Sequence, residues 1–157
     1  MESITLPPDT WSLTLRLLLA TALGGAIGLN REMSLKPAGL RTHALVALGA
    51  ALVTLTGLVL AQSPGGDLNA TSRVIQGIVA GIGFIGGGVI LHGREDQSVH
   101  GLTTASSIWI VSAAGVAVGA GLWRASLIAV AIALVVLTVG ASLDRAVHRI
   151  GFRDDKD

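Results

Sequence analysis

The sequence predicts an all-α protein, a polytopic membrane bundle of about five transmembrane helices. Three observations carry that expectation. Only 13% of the 157 residues are Asp, Glu, Lys or Arg, against roughly 25% in a soluble domain, and the mean hydropathy is +0.70. Much of the surface therefore suits lipid better than water. The apolar residues gather in five stretches, each about as long as a helix needs to cross a ~30 Å hydrocarbon layer at ~1.5 Å per residue. Those stretches also lack strand character. "LIAVAIALVVLTV" (127–139) shows no alternation, whereas a membrane barrel strand alternates apolar and polar residues. A helix satisfies its own backbone hydrogen bonds in lipid.

The first span covers Trp11 to Leu29. It follows "MESITLPPDTW", which has an acid and no base before Arg16 and so lacks the positive start of a secretory signal. The run is expected to stay attached as a span, with the Arg16 stem snorkelling to the nearer interface. "NREMSLKPAGLRTH" (30–43) breaks the helix at Lys36-Pro37 and Gly39. The second span, Ala44 to Ala61, ends at "QSPGGDLNATSR" (62–73), where Pro64-Gly65-Gly66 signals a turn. The third, Val74 to Leu91, is followed by "HGREDQSVHG" (92–101). The fourth, Leu102 to Gly121, and the fifth, Ala125 to Ala141, meet at "GAGLWR" (119–124) and form a tight helical hairpin. Residues 1–143 read as one transmembrane domain. Residues 144–157 read as a short charged tail with too few apolar side chains to fold alone.

Basic residues orient the bundle. With five spans, Arg31, Lys36, Arg41, Arg94, Arg145, Arg149, Arg153 and Lys156 share one side, and Arg16, Arg73 and Arg124 the other. That excess places the N-terminus outside and the C-terminus in the cytoplasm. Trp11 and Trp123 then fall at the outer interface, where indoles are enriched.

Composition also excludes partners and chemistry. A net charge of +1 gives no sign of nucleic acid, and the absence of cysteine removes disulfides and thiolate metal sites. "GIGFIG" (81–86) fits the dinucleotide pattern G-x-G-x-x-G. That pattern needs a preceding strand and an acid about 20 residues on. Here the glycines continue an apolar run, and Glu95 and Asp96 lie too close. Two readings remain. Gly77/Gly81 and Gly83/Gly87, each pair four apart, could let another backbone approach closely, placing the third span at the bundle centre. Alternatively, Gly86-Gly87-Gly88 unwinds the helix and bares backbone to a ligand.

The polar residues gather mainly at the cytoplasmic end. Arg31 and Glu32 close the first span, Arg41, Thr42 and His43 open the second, and Thr103 and Thr104 begin the fourth with Ser106 and Ser107. Arg73 and Gln76 lie at the other end, and Trp109 further along the fourth span. One reading takes these groups as interfacial caps and snorkelling bases: Glu32 pairs with Arg41 or Lys36, and the threonines cap span four. The other takes them as a polar functional site. His43, His92, His100 and His148 sit near the same end, but no two share an i, i+3 or i, i+4 face, so no metal site is assigned. No Asp or Glu lies within a span, which argues against a cation pump with a midplane carboxylate. Nothing pairs a nucleophile with a base, and no P-loop is present. Neither an enzyme nor a cofactor is expected.

"GLNREMSLKPAGLRTHALVALGAAL", "GIGFIGGGVIL" and "VHGLTTASSIWIVSAAGVAVGAG" together resemble the MgtC/SapB family of bacterial inner-membrane proteins, in order from about Gly24 to Gly121. The matching residues are Arg31, Glu32, Gly39, Arg41, Thr42, Arg73, Gln76, Gly81, Gly83, Gly86, Gly88, Gly101, Thr103, Thr104 and Trp109. The resemblance implies a five-helix membrane domain in the bacterial inner membrane and a link to magnesium homeostasis and growth in low magnesium. In pathogens it implies survival inside macrophages. It also implies inhibition of the membrane ATP synthase rather than magnesium transport itself. Members similar to the virulence factor carry a soluble domain after the last span; this sequence ends soon after span five, so regulation through such a domain is not expected. The leading expectation is a non-enzymatic regulator acting through helix contacts with another membrane protein, possible partners being the ATP synthase or a second copy. The alternative is a transporter or channel for a cation or small solute.

Overall fold

A computed structural model describes the backbone of residues 10–67, 69–91 and 100–151, with side chains over the same ranges except at 91 and 144–151. Five helices follow one another: α1 (Thr10–Met33), α2 (Leu40–Gln62), α3 (Ala70–Leu91), α4 (Leu102–Gly119) and α5 (Trp123–Gly151). All five are long and apolar enough to cross a membrane, so the all-α membrane bundle read from composition is the observed architecture. His92, Arg94, Glu95 and Asp96 of the third loop lie outside the described residues, as do the side chains of the expected tail from 144 onward.

The turns follow from local chemistry. α4 ends in a Schellman motif: the Leu122 N–H bonds the Ala117 carbonyl at 2.7 Å and the Gly121 N–H bonds that of Val118 at 3.0 Å. Gly121 supplies the left-handed backbone, φ +88°. Arg16 completes this turn. Rather than reaching for the interface, it crosses to α4 and donates from Nη1 to the Gly119 carbonyl at 3.0 Å, satisfying an end that lacks internal donors. α1 closes with the same motif, Lys36 N–H to Arg31 carbonyl and Leu35 N–H to Glu32 carbonyl. Here the left-handed position is Leu35, φ 54°.

α4 is the centre of the bundle and packs against each of the other four helices. The approach is close because α1 and α4 present glycines to α2. A Cβ on Gly28 would sit 2.7 Å from the Leu40 Cα, and one on Gly119 would sit 2.7 Å from the Ala51 carbonyl oxygen. Gly24 meets the His43 carbonyl and Gly115 the Ala47 carbonyl in the same way. Gly24/Gly28 and Gly115/Gly119 are thus the small-residue pairs that set helix spacing. The core between them is correspondingly fine-grained, with Ala20, Ile27, Ala47, Ala51, Val111 and Val118 buried.

The position expected for α3 is corrected. It is peripheral: it packs on α4 and α2 but makes no contact with α1 or α5 among the described residues. Only 6% of its membrane window is buried, against 50% for α4. A Cβ on Gly77, Gly81, Gly83, Gly87 or Gly88 would meet nothing within 4 Å, and only Gly86 touches a neighbour, Ala105 at 3.6 Å. The physical reason is that a glycine-rich helix offers few side-chain atoms for dispersion contacts and so contributes little to a core. The alternative, unwinding at Gly86–Gly88, is not observed either, for α3 is one continuous α-helix through these residues.

Candidate functional site

At the end of the bundle where α1 finishes and α4 begins, Arg31 is only 4% exposed. Its Nη2 donates to the Thr104 Oγ1 over a long 3.4 Å, and its Nε is buried without a partner, as is the Asn30 Oδ1 nearby. The chain continues from Thr104 to a second buried group. The Ser107 hydroxyl lies 2.7 Å from the Thr104 carbonyl and 2.9 Å from the His43 Nε2, while His43 Nδ1 faces the Gly39 carbonyl at 2.9 Å. A neutral His43 donates from Nδ1 to Gly39 and accepts the Ser107 hydrogen at Nε2; a charged one donates from both nitrogens and leaves that hydrogen for Thr104. In either state both ring nitrogens are engaged. Among the described residues no three His, Cys, Asp or Glu gather in a metal-binding group.

The remaining candidates divide. Glu32 is exposed and accepts the Leu40 N–H at 2.8 Å. It therefore caps α2, and the expected pairing with Arg41 or Lys36 is not seen: the one ion pair among the described residues is Arg73–Asp67. Nor do threonines cap α4, whose N-cap is Gly101 at φ 86° with no side-chain bond. Arg41 and Thr103 are exposed and Thr42 half-buried. Arg73 and Gln76 are exposed on α3 at the opposite end of the bundle, with Arg73 bound to Asp67. The Asp67 carboxyl, outside the spans, is held below its usual range by the Asn69 backbone N–H and then by Arg73. Of the nine polar residues singled out by sequence, the structure thus joins only Arg31 and Thr104 by a bond. His43 and Ser107 belong with them. The available signal was a histidine and a serine in the opening turns of two apolar helices, where an unpaired polar group is costly.

Two concave features flank this network. A cavity of about 740 Å³ at the same end is lined by Arg31, Lys36, His100, Gly101, Thr103 and Thr104 among others. A groove of about 510 Å³ runs between α3 and α4, floored by Gly83, Gly86 and Gly87 and walled by Ile82, Ser106 and Trp109. Trp109 is 51% exposed and Phe84, on the outer face of α3, is 86% exposed.

A model of the MgtC family matches residues 17–146. Protein SrpB of Synechococcus elongatus is 42% identical over 153 residues, covering 92% of this chain and 84% of SrpB. YhiD of Escherichia coli K12 is 36% identical, covering 88% of this chain and 62% of that protein. Protein MgtC of Salmonella typhimurium is 40% identical, covering 87% of this chain and 54% of its own length. The chain therefore spans only about half to two thirds of these last two relatives. No solved structure matches it. With the family model covering most of the sequence and five membrane-length helices in place, the chain belongs to the MgtC family of bacterial membrane proteins.

Proposed function

We propose that this protein is a non-enzymatic regulator in the bacterial inner membrane, linked to low-magnesium adaptation, that acts by receiving a helix of another membrane protein in the α3–α4 groove. The observation that carries the reading is the groove itself. Gly83, Gly86 and Gly87 lower its floor to backbone level beside a half-exposed Trp109. Small residues let a second helix approach, and an indole offers a large rigid contact surface. The magnesium link rests on the family, in which the name of YhiD proposes magnesium transport. The family resemblance offers the membrane ATP synthase as partner, with a second copy of the chain as the other candidate. We place the N-terminus outside and the C-terminus in the cytoplasm, on the distribution of basic residues.

Gly83→Leu and Gly87→Leu test the reading cleanly. A Cβ at either position meets nothing within 4 Å, and leucine raises helix propensity, so insertion and folding are retained. Each variant should abolish co-purification of the partner from bacterial membranes. Undiminished co-purification would remove the groove as the contact.

A further inference from the structure

Independently of that groove, we infer that the cavity beside Arg31 binds a phosphate oxyanion, carried by the headgroup of an anionic phospholipid whose acyl chain lies between α4 and α5. The argument begins with charge. Arg31 is 4% exposed, its Nε is buried without a partner, and among the described residues no carboxylate is within ion-pair distance of it. A buried charge left without compensation costs several kcal/mol, so the site calls for a negative ligand. The charged groups around it agree in sign. Lys36 lines the same cavity, and Glu32 is turned away to the Leu40 N–H.

The helix geometry adds donors. α4 opens onto the cavity at Gly101, Thr103 and Thr104, and no side chain caps it. Its first-turn N–H groups lack internal acceptors and form the positive end of the helix dipole, a favourable seat for phosphate. A fork of guanidinium N–H groups, an ammonium and threonine hydroxyls suits the several oxygens of a phosphoryl group. The same charges oppose a divalent cation.

The apolar surroundings identify the carrier. Leu102, Thr103, Val136 and Leu137 line both this cavity and an adjoining groove of about 570 Å³ between α4 and α5, which continues along Ile110 and Ile132. Inorganic phosphate would fill only the polar mouth. A phospholipid fills both, with its headgroup at the level of the helix ends and its chain in the groove, as in basic sites between membrane helices.

The test is native mass spectrometry on the full chain in detergent, titrated separately with phosphatidylglycerol, phosphatidylcholine and inorganic phosphate. One phosphatidylglycerol should be retained about tenfold more tightly than either other ligand. Lys36→Ala/Thr103→Val should weaken it about tenfold, and this variant removes exposed side chains that take no part in the described packing. Ile132→Trp, which obstructs the groove at a residue that does not line the polar cavity, should weaken the lipid and leave phosphate unchanged. Equal retention of phosphatidylcholine, or indifference to Lys36→Ala/Thr103→Val, overturns the proposal. Inorganic phosphate binding as tightly as the lipid overturns the lipid source. Retention that appears only in Glu95→Gln/Asp96→Asn overturns it too, since the chain's own carboxylates would then balance Arg31.

Discussion

Replacing Gly28 by alanine should destabilise the bundle, whereas the same change at Gly81 should not. At Gly28 the new methyl would lie 2.7 Å from the Leu40 Cα, 2.8 Å from the Gly39 carbonyl oxygen and 3.0 Å from the His43 Cβ. Ordinary contact needs roughly 3.5–4 Å, so the first turn of α2 must retreat by nearly 1 Å. That turn holds the Glu32 cap on Leu40 and the Gly39 carbonyl that receives His43, and both bonds lengthen with it. Overpacking of this kind costs about 1–3 kcal/mol, while alanine returns up to about 1 kcal/mol of helix propensity. The net loss is up to about 2 kcal/mol. At Gly81 nothing lies within 4 Å, so only the propensity gain remains. Denaturant titration of both variants in detergent micelles measures the difference. A Gly28→Ala protein as stable as the wild type, or a Gly81→Ala protein less stable than Gly28→Ala, would refute the assignment of packing and non-packing glycines.

Three further outcomes follow from the same geometry. Leu35→Gly should raise the melting temperature, because leucine occupies a left-handed position (φ 54°) while 92% exposed, at a cost of roughly 1 kcal/mol. His43→Ala should lower stability by about 3 kcal/mol, since it empties a fully buried position and removes the imidazole's bonds to the Gly39 carbonyl and the Ser107 hydroxyl, each of which keeps its other partner; chemical denaturation reads this. Asp67, with a depressed folded pKa, contributes stability that is present above its usual value of 3.8 and lost as pH falls through the lower folded value. Exchange protection of the Asn69 amide should therefore persist as pH falls to 3.8 and below, and its loss above 3.8 would contradict the Asp67 contact.

How far the fold was legible depends on which physical signal each part leaves in the chain. Helix number and the α4–α5 hairpin follow from apolar length and from Gly121, because lipid permits little else. The packing of α3 was misread, because a dense run of glycines looks like a close-contact surface whether or not a neighbour is present. The pairs that do pack, Gly24/Gly28 and Gly115/Gly119, carry the same four-residue spacing and are less conspicuous because fewer glycines accompany them. What distinguishes them is the α2 backbone lying against them at Leu40, His43, Ala47 and Ala51. In the polar cluster, residue type marked Arg31 and Thr104, but the bond from His43 to Ser107 spans 64 residues and needs the α2–α4 contact to exist first. Glu32 likewise looked like an ion-pair partner, yet an uncapped helix start eight residues on takes its oxygen. Backbone donors at a helix end compete well with mobile surface lysines and arginines for a carboxylate.

The most direct test of the proposed function is photo-crosslinking in native membranes from a benzoylphenylalanine placed at Trp109, on the α3–α4 groove, and at Val139, an exposed site on α5. A discrete protein adduct should form from position 109 and not from 139, and Gly87→Leu should eliminate it. Adducts of equal yield from both positions, or none at 109, would contradict a partner helix seated in the groove.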